Sequence, residues 1–145
     1  MKVVCAPDKY KGSLSAAGVA AAMAAGACQA VPGCTAVILP LADGGDGTLD
    51  ALVAARGGKR VVVAAHDPLG RVIEAEIGDL GAGTFVVEMA RASGLTLLRP
   101  DERDPFHAST FGTGELIRAA LDLGATEIVL GAGGSATVDG GSGAA

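Results

Sequence analysis

Three short apolar runs, Lys2–Ala6 (KVVCA), Thr35–Leu39 (TAVIL) and Thr126–Leu130 (TEIVL), each break off into a polar stretch rich in glycine or proline. Leu14–Ala30 lies between the first two and reads as a helix. Ser13 or Ser15 is placed to cap it, and Pro32-Gly33 ends it. Thr48–Arg56 (TLDALVAAR) is a second, short helix with Gly57 as its C-terminal cap. Strand, helix, strand, helix in that order indicates a parallel sheet with crossover helices, so the expected class is α/β.

After Arg56 the pattern changes. Arg60–Ala65, Val72–Gly78 and Thr84–Ala90 are strand candidates joined by short links. Asp67-Pro68-Leu69-Gly70 has the residues of a type I turn. Such a meander is antiparallel, and it reads either as an edge added to the sheet or as the start of a second domain. Leu98–Ser109, with two prolines and five charges, is expected to be a surface loop. Glu115–Leu123 is expected to be a helix capped by Gly112 or Thr113.

Small side chains must do much of the packing. Alanine (29) and glycine (23) together supply 52 of the 145 residues, against four aromatics. Each buries little area, so close backbone approach has to replace bulk. The net charge of −5 gives no basic field to recruit nucleic acid or an anionic membrane. No charge occurs between Lys11 and Asp43, and Ala25-Gly26-Ala27-Cys28 imitates a lipoprotein cleavage site. Pro7 and Asp8 make a poor basic leader, however, so a helix of a cytoplasmic protein is expected. Cys5, Cys28 and Cys34 show no metal spacing and are expected to be free thiols in a reducing compartment.

Four glycine-rich polar segments lie where ligands of open α/β sheets bind, at strand ends. The first, Ala6–Leu14 (APDKYKGSL), brings Lys11 and the Ser13 hydroxyl to a helix N-terminus, where charge and helix dipole both favour an anion. A surface loop with an ordinary serine cap is the plainer reading. The second, Leu41–Thr48 (LADGGDGT), sets Asp43 and Asp46 three apart among glycines, suited to Mg²⁺ or a substrate hydroxyl; a turn leading into a helix cap fits as well. The third, Thr110–Glu115 (TFGTGE), offers backbone N–H groups and Thr113 to a phosphate, or a capping box between Gly112 and Glu115. The fourth, Gly131–Gly143 (GAGGSATVDGGSG), offers Gly133, Gly134 and Ser135 to phosphates and Asp139 to a metal or a hydroxyl. Its G-x-G-x-x-A pattern alone is a weak dinucleotide signal. Arg71 can clamp a carboxylate, and the Arg91–Gly94 stretch with Ser93 can face a ligand. His66 and His107 have no partner at ligand spacing and are expected to be surface or turn residues.

Taken in order, APDKYKGSL, LADGGDGT, DPLGR (67–71), EMARASGL (88–95), TFGTGELI (110–117) and GAGGSATVDGGSG resemble the N-terminal part of the bacterial glycerate kinase type I family. The resemblance covers essentially the whole chain, and six motifs in sequence make it specific. It departs at Lys9-Tyr10, where family members more often carry Ser-Phe, and members of the family are much longer. The resemblance implies a two-domain α/β fold: a Rossmann-like parallel βαβ layer, then an antiparallel meander and a further α/β unit. Residues 1–66 would belong to the Rossmann-like domain and 67–145 would begin the second. It implies phosphorylation of D-glycerate by ATP, usually to 2-phosphoglycerate, with Mg²⁺. Lys11, Asp43 and Asp139 are then the catalytic candidates. Ser13, Asp46, Arg71, Ser93, Thr113, Gly133, Gly134 and Ser135 are the substrate or phosphate ligands, and Asp43 and Asp46 the metal ligands. On this reading the chain is a fragment with little activity by itself; an α/β nucleotide-binding domain of other chemistry is the alternative.

Overall fold

Lys2–Cys5 (β1) and Thr35–Ile38 (β2) pair in parallel, from Lys2 opposite Thr35 to Cys5 opposite Ile38. Ala16–Ala30 (α1) is the crossover that this pairing requires. Ser15, not Ser13, caps it: the Ser15 hydroxyl accepts from the Gly18 N–H at 3.1 Å. The helix stops at Val31, the residue before Pro32, where a proline disfavours further helix. Alanine decides how α1 packs. Cys5, Ala20 and Ala24 are buried together, with Val3 and Ala36 against them.

These elements make one unit, Met1–Asp43; Gly44–Ala145 makes a second. The structure is a computed structural model and describes residues 1–10 and 13–145. Lys11 therefore lies outside the described residues.

The second unit opens with Thr48–Arg56 (α2), whose bounds and Gly57 cap match the sequence expectation. A four-stranded sheet follows, in the order Lys59–His66 (β3), Val72–Asp79 (β4), Thr84–Glu88 (β5) and Glu127–Gly131 (β6). The first three strands form the expected antiparallel meander, and β6 joins β5 in parallel. The meander thus has its own sheet rather than an edge position beside β1 and β2. The expected boundary at 66/67 falls in the turn of the β3–β4 hairpin, while the two units divide at 43/44. That turn is the predicted one, with Gly70 N–H donating to the Asp67 carbonyl at 3.0 Å.

The β5–β6 crossover contains Ala90–Ser93 (α3), two single 3₁₀ turns and Phe111–Asp122 (α4). Leu116 and Ala120 of α4 bury against Ala65, Ala75, Ile77, Phe85, Val87 and Ala92 to form the main core. Three expectations need correction. β5 ends at Glu88, because Met89–Ser93 turns into α3. Leu98 and Ala108 are buried, so the 98–109 segment is not wholly surface. α4 begins at Phe111, four residues before Glu115. Its cap is not a capping box: the Glu115 carboxylate instead accepts from the His66 backbone N–H at 2.7 Å and meets His66 Nδ1 at 2.9 Å. His66 is thereby half-buried and partnered, and its ring packs edge-on against Phe111.

Candidate functional site

Parallel pairing of β5 and β6 sets their carboxyl ends side by side, with Glu88 opposite Gly131. Three of the four glycine-rich segments meet there. Met89 N–H donates to the Gly131 carbonyl at 2.9 Å, Gly133 N–H to Gly44 O at 2.8 Å, and Leu95 N–H to Gly134 O at 2.9 Å. The loops touch backbone to backbone. A Cβ on Gly133 would stand 2.7 Å from Gly45 Cα, and one on Gly131 would stand 2.8 Å from the Gly44 carbonyl oxygen. Glycine is required at these two positions by close approach.

Asp46 sits at the tip of the first of these loops. Its carboxylate lies against Gly134, where an added Cβ would be 3.2 Å from Oδ2, and its Oδ1 is 3.4 Å from the Thr96 hydroxyl. The loop is held from below by Glu88, a fully buried carboxylate. One Glu88 oxygen accepts from Gly47 N–H at 3.1 Å and from Leu49 N–H at 2.8 Å, placing negative charge at the N-terminus of α2. Arg91 balances it, with Nε 3.4 Å from the other Glu88 oxygen. The same guanidinium reaches Glu76 at 3.1 Å and Asp50 at 3.0 Å, so α2, β4 and β5 share one cation. Sequence reasoning left Glu88 unassigned. The only local signal was a carboxylate ending an otherwise apolar strand.

Asp139 reaches back from the last loop to the start of α4. Its Oδ2 accepts from the Thr110 N–H and hydroxyl, both at 2.8 Å, and from Gly143 N–H at 3.2 Å; Oδ1 accepts from Gly141 N–H at 3.1 Å. Burial pushes this carboxyl up, but the four hydrogen bonds outweigh it and hold it below the usual carboxylate range. An internal carboxylate therefore occupies the helix end where the sequence places a phosphate. Beside it is a cavity of about 330 Å³ lined in part by Thr110, Thr113, Ser135, Thr137 and Asp139, with Met89, Ile117 and Leu130 as apolar wall.

Of the other predicted ligands, Ser93 and Thr113 are buried and bonded to each other, hydroxyl to hydroxyl at 2.7 Å. The Ser93 carbonyl accepts from Ala136 N–H at 2.9 Å, which secures the glycine-rich loop. Ser135 is exposed, and its hydroxyl closes a small turn with Thr137 at 2.8 Å. Arg71 clamps carboxylates of this chain. Its Nε donates to Asp67 Oδ2 and its Nη1 to Glu102 at 2.7 Å. Although burial raises the Asp67 carboxyl, donors on Arg71 and Leu69 bring it below its ordinary value.

In residues 1–43, Ser13 is exposed and its N–H donates to the Tyr10 carbonyl at 2.9 Å. Lys9, one of the two positions where the chain departs from the resemblance, is held by an ion pair. Its side chain is 14% exposed, and its ammonium lies 3.6 Å from Asp43, itself largely exposed. Among the described residues, no three His, Cys, Asp or Glu side chains are grouped to hold a metal ion. A dication bridging phosphates needs only one or two protein carboxylates, which Asp46 can supply.

A family model described as the glycerate kinase family matches residues 3–145. The chain is 49% identical over 144 residues to the glycerate kinase of Bacillus subtilis and likewise 49% identical to the glycerate 2-kinase of Escherichia coli. Each match covers 99% of this chain and 38% of the relative, so the chain spans well under half the length of those proteins. A solved structure from Salmonella typhimurium LT2 named for glycerate kinase 2 superposes with a TM-score of 0.76 at 48% identity, over 99% of this chain and 39% of that one. The six ordered motifs, the mixed sheet whose strand ends gather four of them and a match running from residue 3 to the last residue agree: this chain belongs to the glycerate kinase family.

Proposed function

We propose that this chain, within a protein of its relatives' length, takes part in ATP-dependent phosphorylation of D-glycerate to 2-phosphoglycerate in the cytoplasm. The observation that carries the reading is the meeting of three glycine-rich loops at the carboxyl ends of β5 and β6, in a chain of this family. Phosphoryl transfer asks chiefly for positioning and charge neutralisation. Gly134 and Ser135 lie exposed on the loop and offer backbone and hydroxyl donors to phosphate, while Gly133, whose N–H is already held by the Gly44 carbonyl, packs the loop against Gly45. Thr113 and Asp139 line the adjoining cavity, and Ser93 supports them through Thr113. Magnesium, when bound, neutralises phosphate charge; Asp46, with Asp43 as the second candidate, would hold it. Lys11 is the proposed cation for the glycerate carboxylate or a phosphate. Arg71 holds Asp67 and Glu102, so its part in the reaction is to fix the β3–β4 turn.

The test is an assay of glycerate-dependent ADP release. Residues 1–145 are grafted in place of the matching segment of the Bacillus subtilis relative, and the isolated chain is run beside the graft. The graft should turn over and the isolated chain should not. In the graft, Lys11→Ala should lower kcat/KM about 10²-fold and Asp43→Asn should lower kcat similarly, whereas Lys9→Ala should cost less than about threefold. A graft that melts cooperatively but releases no ADP with D-glycerate would sink the proposal.

A further inference from the structure

We propose that Cys28 and Cys34 form a reversible redox pair that closes into an intramolecular disulfide under peroxide. The two sulfurs stand 3.3 Å apart, inside van der Waals contact and about 1.3 Å from bonding distance. Cys28 is exposed in the last turn of α1, and Cys34 is half-exposed immediately before β2. The connection between them is pinned on both sides: Val31 N–H donates to Ala27 O at 3.0 Å and Cys34 N–H to Val31 O at 3.1 Å. The two sulfurs thus face each other across a connection whose backbone is held by hydrogen bonds. Cys5 is 1% exposed and takes no part.

The chemistry balances with hydrogen peroxide as oxidant. The thiolate of Cys28, the more exposed sulfur, attacks one peroxide oxygen; the O–O bond breaks, and the leaving hydroxide takes a proton to become water. The resulting sulfenic acid is attacked by the Cys34 sulfur. The S–S bond forms, the S–O bond breaks, and a second water leaves. Two electrons pass from the sulfurs to the peroxide. The hydrogen bond with Cys28, then burial, pushes the Cys34 thiol up, which leaves the first attack to Cys28. Added dithiol reverses the reaction by exchange.

The consequence falls on residues 1–43. Their core is three small buried side chains, so one covalent closure of the α1–β2 connection changes this unit more than a better-packed one.

The experiment treats the 145-residue chain with a small excess of hydrogen peroxide. Thiols are titrated under native conditions with an aromatic disulfide reagent before and after. Two should react before and none after, with both restored by dithiothreitol. Trypsin cuts after Lys11 and Arg56 and nowhere between, so one peptide, residues 12–56, carries both cysteines. Under non-reducing conditions that peptide should be lighter by two hydrogen atoms. Amide exchange across Ala16–Ala30 should slow by about tenfold or more, while Phe111–Asp122 is unchanged. Cys28→Ser and Cys34→Ser should each abolish the mass loss. Because the peptide map reads the unmodified chain, a variant that misfolds leaves the test intact. Thiols that stay titratable, a peptide gaining oxygen, or covalent dimers would each overturn the proposal.

Discussion

Residues 1–43 are a single strand–helix–strand crossover, whereas residues 44–145 set an antiparallel meander before theirs, and the two units hold together by different means. The first unit lays an uncharged, alanine-rich helix over two parallel strands, and its core is Cys5, Ala20 and Ala24. The second buries Ile77, Phe85, Val87 and Leu116 under one sheet and adds buried polar ties at Glu88, Asp67, Ser93 and Thr113. Apolar area scales with side-chain size, so the second unit has the larger hydrophobic term and the first depends on close approach. Bulk makes a core, and that core then supports the buried carboxylates that shape the site loops.

The sharpest way to break the contrast is to remove bulk where it matters most. Leu116→Ala empties a fully buried site and should cost about 2–5 kcal/mol in denaturant unfolding. Equal exchange rates in Thr48–Arg56 and Thr84–Glu88 with and without the substitution would show that this core does not carry the second unit.

A smaller effect tests the polar ties. Asp139→Asn retains the shape but sets an amide N–H₂ donor against backbone N–H donors, and should cost about 1–3 kcal/mol. The same carboxylate predicts a pH dependence. Asp67 and Asp139 titrate lower in the folded chain than unfolded, so their stabilisation is present above the ordinary carboxylate value of about 4. It drains away as pH falls through their folded values. Melting followed from pH 6 to pH 3 should show that loss, and Asp139→Asn should flatten the curve. An unchanged slope in the variant would remove Asp139 from the account.

The smallest effect belongs to the first unit. Ala20→Gly should cost about 1 kcal/mol from helix propensity, with a further small part from the buried methyl. A cost as large as that of Leu116→Ala would mean that the two units are not built differently at all.

What was legible in the sequence was what is local. The bounds of α2 follow from Thr48 and Gly57, and the β3–β4 turn from Asp67-Pro68-Leu69-Gly70. The beginning of α4 was not legible, because Gly112 and Gly114 read as loop and the group that stabilises the helix start is Asp139, 29 residues away. Glu88 escaped notice for the same reason: Gly47 lies 41 residues from it. Arg71 looked available to a ligand because Glu102, 31 residues on, leaves no periodic trace. Glycine-rich segments disclosed where the site loops are, while the partners of their side chains are set by which strands pair.

The contact between the Gly44-Gly45 and Gly131–Gly133 backbones also governs what this chain can become. With no side chain between the loops, neither Gly131 nor Gly133 can gain one unless the Gly44-Gly45 backbone retreats, and retreat would pull Gly133 away from its bond to Gly44. Mutational drift is closed along that seam. It stays open at Asp46, Ser135 and Thr137, whose side chains project from the same loops. A lineage exploring new chemistry on this scaffold would have to rewrite those three positions and leave the line of glycines beneath them untouched.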